Sequence, residues 1–145
     1  MRGRLDFYDF FMIGAYTVWT INQYYPMKKF LAIYLGAMHD DSFKKWMAMP
    51  EAERKAKEKE GMDAWGTWGQ DHKDAVVDMG APLGKTKLVN KSGVSDTKNL
   101  LSGYAIVQAE NHEAAAKMFE NHPHFTIFPG ESVEIMECLP MPTME

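Results

Sequence analysis

Alternation of apolar and polar positions is lost at two places in this chain, and both losses predict central strands. From Lys28 to Gly36 the sequence KKFLAIYLG is apolar on both alternating faces, with Leu31, Ile33 and Leu35 on one and Phe30, Ala32 and Tyr34 on the other. A strand covered on one side only shows polar alternation, so this one expects cover on both. Tyr104 to Ala109, YAIVQA, repeats the property, with Ala105, Val107 and Ala109 opposite Tyr104 and Ile106. In a chain with few helices, the sheet of a second copy is an economical source of the second layer, which predicts a homodimer.

Helical spacing fills the interval. PEAERKAKEKEG, from Pro50 to Gly61, has proline at a helix start, early glutamates, late lysines and a glycine that reads as the terminator. Its charges alternate at helical spacing, the marking of a solvated face rather than a binding patch. A second helix is predicted over Met62 to Met79, where Trp65, Trp68, His72, Ala75, Val76 and Met79 form one stripe facing the sheet. Gly80, Pro82 and Gly84 end it and lead into an edge-like strand near Thr86 to Asn90, with Lys91 to Asn99 as a long hairpin connection. After the Tyr104 strand, Asn111 reads as the cap of a helix His112 to Glu120, closed by Asn121. The Pro129-Gly130 pair turns into a last strand, Ser132 to Leu139. The order β, α, β, β, α, β predicts an α+β, ferredoxin-like domain with one antiparallel sheet and helices on one face.

Length and composition narrow the partners. The 145 residues suit one domain, and 46% hydrophobic with 25% charged residues is ordinary globular usage. A net charge of -4 with interleaved signs provides no basic field for phosphates, so nucleic acid is not an expected partner. The single Cys138 cannot form an internal disulfide and reads as a buried thiol in the last strand, which fits a reducing cytoplasm.

Residues 1–26 stand apart from the predicted domain, 27–145. They carry two arginines and a short apolar run around Phe10 to Ile21. Asp6 and Asp9 interrupt the start, no small-residue cleavage site follows Ile21, and the run falls short of the ~20 apolar residues of a bilayer span. Neither secretion nor membrane insertion is expected. The segment reads as an N-terminal extension, an arm or helix on the domain, or as sequence upstream of a natural start at Met27.

No triad spacing, phosphate loop or metal-ligand motif appears, so candidate chemistry is nominated by position. His72 lies among Trp65, Trp68 and Val76 on the predicted buried stripe, where desolvation tunes an imidazole towards a neutral base. The alternative is a core histidine donating to a backbone carbonyl. Asp78 is the weaker acidic candidate, six residues on and off the His72 face, while Asp71 and Asp74 flank the histidine on the wetter side. His122 and His124, separated by Pro123, could point the same way. A metal would need further ligands, for instance His39, Asp40 or Asp41, and no spacing here is a zinc signature, so neither metal nor cofactor is expected. The favoured reading of His-Pro-His is a rigid junction whose imidazoles bond loop backbone. A pocket between helix and sheet, lined by Tyr34, Trp65, Trp68, Tyr104, His122, His124 and Phe125, would suit a small apolar or aromatic ligand.

From Lys28 to Pro140 the chain resembles the YCII-related group of small bacterial proteins and its DGPF-type relatives. The likeness rests on FLAIYL, the GAPLG turn, the GYAIVQAENHEAA strand-to-helix junction, and HPHF followed by VEIMECLP; the tetrapeptide DGPF itself is absent. The resemblance implies a ferredoxin-like domain that dimerises through its sheets as a dimeric α+β barrel. It also implies a histidine on the helix leading to the glycine turn, which here is His72, and in some members a His–Asp pair in a cleft. Three functions remain open: a cofactor-independent small-molecule enzyme with His72 as general acid/base, a non-catalytic ligand-binding module, and a structural homodimer whose N-terminal arm is exchanged.

Overall fold

The computed structural model describes residues 10–13, 16–19, 26–37 and 41–143. Among these, the elements in chain order are β1 (Phe10–Ile13), β2 (Tyr16–Trp19), β3 (Lys28–Gly36), α1 (Asp41–Ala48), α2 (Glu51–Asp71), β4 (Val76–Asp78), β5 (Lys87–Asn90), β6 (Gly93–Asp96), β7 (Leu101–Ala109), α3 (His112–Lys117), α4 (Pro123–Thr126) and β8 (Gly130–Glu137). The fold is α+β. A four-stranded sheet, ordered β4-β7-β3-β8 with every pairing antiparallel, carries the helices, and β5 with β6 forms a small separate sheet. The described part of the extension is an antiparallel β1–β2 ladder rather than a helix.

The two strands with lost alternation are the central pair. Phe30, Ala32 and Tyr34 on β3 and Ala105, Val107 and Ala109 on β7 are buried, and Trp68 and Ala115 from the helices and Phe119 from the turn after α3 pack on them. Val133 and Ile135 of β8 join the same core. On the other face, Leu31, Ile33, Leu35, Tyr104 and Ile106 are only half-buried in the single chain, and Met136 is exposed. One apolar face of the sheet is thus covered by helices and the other is open.

Helix α2 departs from its predicted division. Gly61 does not terminate it; the helix runs through to Asp71, and Gly61 is buried because a Cβ there would overlap the Phe128 ring. The local sequence of a close helix contact and of a helix end is the same, a glycine. Lys55–Glu51 at 2.7 Å and Lys59–Asp63 at 2.6 Å occupy its solvated face, as the charge spacing predicts. At the other end the predicted stripe outlives the helix: His72 is the C-cap, and Val76 to Asp78 leave the helix to pair with β7. The fourth place in the sheet belongs to these three residues. The predicted Thr86–Asn90 strand instead closes a tight hairpin with β6, and the long connection shrinks to Lys91 and Ser92.

Smaller corrections follow from the same contacts. Asn111 caps α3, its side-chain oxygen accepting the Ala114 N–H at 2.8 Å, but α3 ends at Lys117 and a turn follows to Asn121, whose φ is 56°. Cys138 lies one residue past β8 and is exposed, not a buried strand thiol. Among the described residues no helix is long and apolar enough to cross a membrane.

Gly80, with φ 68°, turns the chain from β4 alongside β7, where Leu83 N–H donates to the Ser102 carbonyl at 3.0 Å. A Cβ at Gly80 would overlap the Tyr104 carbonyl oxygen, whereas one at Gly84 meets nothing within 4 Å. Gly80→Ala is therefore expected to cost about 2–4 kcal/mol in urea unfolding through strain and overlap, and Gly84→Ala to stay within about 0.5 kcal/mol. Equal midpoints for the two variants would contradict this placement of the turn.

Candidate functional site

The His-Pro-His segment becomes a one-turn helix. Pro123 occupies its first position, where a missing N–H is no loss, and His122 is its N-cap. His122 Nδ1 accepts the His124 backbone N–H at 3.1 Å, so this nitrogen carries no proton and the hydrogen sits on Nε2. His124 Nε2 lies 2.7 Å from the Leu35 carbonyl oxygen, which can only accept, so His124 also holds its hydrogen on Nε2 and donates it. Both imidazoles bond backbone, one as cap and one as tie, which is the rigid junction expected of this turn.

Around them the helices and the sheet supply aromatic rings. His122 is 0% exposed and lies 4.6 Å from Trp65, 4.8 Å from Trp68, 5.3 Å from Tyr34 and 5.6 Å from Phe119, centroid to centroid. Trp68 is anchored in turn by its Nε1–H, which donates to the Met118 carbonyl at 2.7 Å. Two buried polar atoms in this cage, Tyr34 Oη and His122 Nε2, have no hydrogen-bond partner among the described residues. Such groups are costly in a fold and call for an explanation. Burial pushes the His122 imidazole down to about 4, with the charges of His124 and His72 adding to the effect. Burial lowers His124 as well, opposed by its bond to Leu35, and burial raises the Tyr34 phenol above its ordinary range.

His72 adjoins this cage without entering it. Its ring packs on Trp68 at 4.9 Å, it is half-buried, and its Nδ1 lies 2.8 Å from the Trp68 carbonyl oxygen. Nδ1–H therefore donates, and Nε2 takes no part in this bond. Asp78 serves the backbone: its Oδ1 accepts the Gly80 N–H at 2.8 Å, holding the turn after β4. Of the expected pocket residues, Tyr34, Trp65, Trp68, His122 and His124 come together. Tyr104 does not, because it pairs opposite Ile33 and so points to the open face of the sheet, away from Tyr34. Phe125 is 38% exposed on the outer side of α4. His39 and Asp40 lie outside the described residues; among those described, no group of three His, Cys, Asp or Glu side chains is arranged to hold a metal ion.

The open space lies elsewhere, at the end of the sheet where β3 stops and β7 and β8 begin. A cleft of about 840 Å³ runs between the 83–87 segment, the 96–102 segment, Phe43 of α1 and the Pro129-Gly130 turn. Its floor includes Gly36 and Gly130. Gly130 abuts His124 so closely that a Cβ there would overlap the imidazole, and Gly36 follows the residue whose carbonyl His124 holds. The histidine junction thus stands directly behind the floor. Phe119, Phe128 and Gly130 were not nominated by the sequence; the glycine after Pro129 carried the one usable signal, and it reads equally as a turn.

Acid should loosen this corner. An unfolded histidine titrates near 6.5 and folded His122 near 4, so between those values the unfolded chain binds more protons. The stabilisation is complete above pH 6.5 and is lost as pH falls towards 4. The expected loss is on the order of 2–3 kcal/mol between pH 7 and 4, read by urea unfolding. His122→Asn keeps an N-cap acceptor but cannot titrate, so its stability, lower at pH 7 by about 1–2 kcal/mol for the cavity, should fall less steeply. A variant profile as steep as the parent's would assign the pH dependence elsewhere.

No model of a known protein family matches the chain, and no curated protein does.

Proposed function

We propose that the chain is a homodimeric small-molecule-binding protein of ferredoxin-like topology, related to the YCII group, with its ligand site in the cleft above Gly36 and Gly130. The observation that carries this reading is the cleft itself, about 840 Å³ with Gly36 and Gly130 among its lining residues. That size lies in the range of small-molecule sites, roughly 300–1,000 Å³. Its walls mix apolar side chains, Phe43, Leu83, Leu101 and Pro129, with a few polar ones such as Thr97 and Asn99. The order β4-β7-β3-β8, with β4 reached from β3 through α2 and β8 from β7 through α3 and α4, supports the ferredoxin-like plan. The half-buried Leu31, Ile33, Tyr104 and Ile106 support pairing of two sheets face to face, since each chain leaves this apolar surface only partly covered. The reducing cytoplasm inferred from cysteine usage suits such a protein.

A second reading, a cofactor-independent acid–base enzyme, draws on other atoms. His72 holds its half-buried ring by Nδ1–H, and Tyr34 Oη and His122 Nε2 lie in the adjoining cage with no hydrogen-bond partner among the described residues. An imidazole fixed through Nδ1–H is suited to general-base work. The cage is packed with side chains rather than open, so binding in the cleft is the better supported of the two.

The test is a titration with N-phenyl-1-naphthylamine, an uncharged probe whose fluorescence rises in apolar surroundings. The parent protein should bind one probe per chain, and Gly84→Trp, which fills the cleft from a position open to a side chain, should abolish binding. Unchanged binding by a folded Gly84→Trp variant would overturn the cleft as the site. Light scattering on the same samples should give twice the chain mass, and Leu31→Glu, which places a charge at the centre of the open face, should give one. In the same titration a ligand-induced shift of the His72 Nε2 resonance would favour the enzyme reading; a silent His72 would count against it.

A further inference from the structure

We infer that the cleft selects organic anions, molecules that join an apolar ring-bearing body to a carboxylate, sulfonate or phosphate. This rests on the ligand-binding reading above and names the class of ligand. Among the described residues four charged ones line the cleft: Lys85, Lys87, Lys98 and Asp96. Lys87 and Asp96, directly opposite each other in the β5–β6 register, form an ion pair and cancel. Lys85 and Lys98 have no ion-pair partner among the described residues. Two uncompensated ammonium groups therefore line the same concavity, one from each flank of the hairpin.

The wider sequence makes this a local reversal of sign. The whole chain carries -4, yet between positions 83 and 98 it places four lysines against one aspartate. A solubilising surface at this charge would interleave its signs, as α2 does with Lys55–Glu51 and Lys59–Asp63. Here a lone carboxylate is already committed. A concave site lined by one sign of charge raises the local concentration of oppositely charged ligands and their rate of arrival.

The remaining wall fixes what else the ligand must be. Phe43, Leu83, Leu101 and Pro129 offer apolar contact, and Leu83 and Leu101 are each more than 40% exposed in the single chain. Backbone groups at the floor are already used: the Gly36 N–H donates to the Leu100 carbonyl at 2.8 Å, and Asn99 Oδ1 accepts the Leu101 N–H at 3.0 Å. The anion is thus met by flexible lysine side chains at the rim and not by a preformed backbone nest. Among the described residues no arginine lines the cleft, so they offer no planar two-pronged match to one oxyanion and recognition by them is by charge rather than by oxyanion geometry. A bare phosphate or acetate, with no apolar body, would gain only the weak rim attraction.

The experiment compares 1-anilinonaphthalene-8-sulfonate with N-phenyl-1-naphthylamine, the same ring system without the sulfonate, on the full chain. At low salt the sulfonate is expected to bind about tenfold more tightly, and the ratio should shrink towards one at 0.5 M salt, roughly where the screening length falls to a few ångströms. Lys85→Gln with Lys98→Gln, both at exposed positions, should remove that preference and leave the affinity for the uncharged probe within about twofold. Equal affinity of the two probes, or a preference that survives the double substitution, would overturn the anionic class while leaving the cleft as a ligand site. Failure of both probes to bind, or binding of both that Gly84→Trp leaves intact, would overturn the ligand-binding reading on which it rests.

Discussion

One hydrogen bond organises the end of this sheet: His124 Nε2–H to the carbonyl of Leu35, 2.7 Å across 89 residues of chain. It draws the short helix α4 against the end of β3 and, through the His124 side chain, sets how closely β8 can begin. Both ladders of β3 shift register at this point, against β7 between Tyr34 and Leu35 and against β8 between Leu35 and Gly36. A bulge at the end of a strand redirects it and ends its pairing. Here the redirected strand ends line the cleft at Gly36 and Gly130, and at position 130 the His124 imidazole and carbonyl leave no room for a side chain. His122 holds the other side of the same corner by capping α4, inside a cage of two tryptophans, a tyrosine and a phenylalanine.

The two central strands impose the second constraint. Each carries apolar residues on both faces, and one chain supplies helices for only one of them. The helix side closes around Phe30, Tyr34, Val107 and Phe119. The side bearing Leu31, Ile33 and Ile106 is left half-covered, so the same pattern that builds the core also motivates a second copy. Each fully buried aliphatic side chain is worth about 1.5–3 kcal/mol, and these half-buried residues would contribute a part of that each on being covered, to be set against the cost of association.

Much of this plan was legible in the residues, and the parts that were not have identifiable physical causes. The loss of alternation at Phe30–Leu35 and Tyr104–Ala109 reports burial directly, so the central pair could be read from sequence. Asn111 announces its cap through its side-chain chemistry. Gly61 is ambiguous because the same missing Cβ serves a helix end and a close contact with Phe128. Val76 to Asp78 were hidden because Val76 continues the helical stripe of Trp65 and Trp68, and three residues are too few to show a period of two. Tyr104 was assigned to the wrong side of the sheet: its alternation with Ala105 was visible, but which phase faces Tyr34 depends on the β3–β7 register, a long-range fact. The cleft could not be read at all, since its floor joins Gly36 to Gly130 and its rim joins Lys85 to Lys98, residues with no shared local signature.

The proposed binding site depends on the corner behind it staying neutral and fixed. Charging either histidine would remove the lone pair that caps α4 or bring a buried cation against the rings, and the corner that sets Gly36 and Gly130 would relax. The most direct test is the nitrogen-15 spectrum of the histidine rings in the full chain at neutral pH. The account predicts that His122 and His124 are both neutral with the hydrogen on Nε2, His122 Nδ1 showing the shift of an acceptor nitrogen. An imidazolium pattern at either ring, or the hydrogen on Nδ1 of either, would contradict the cap and the tie on which the site is built.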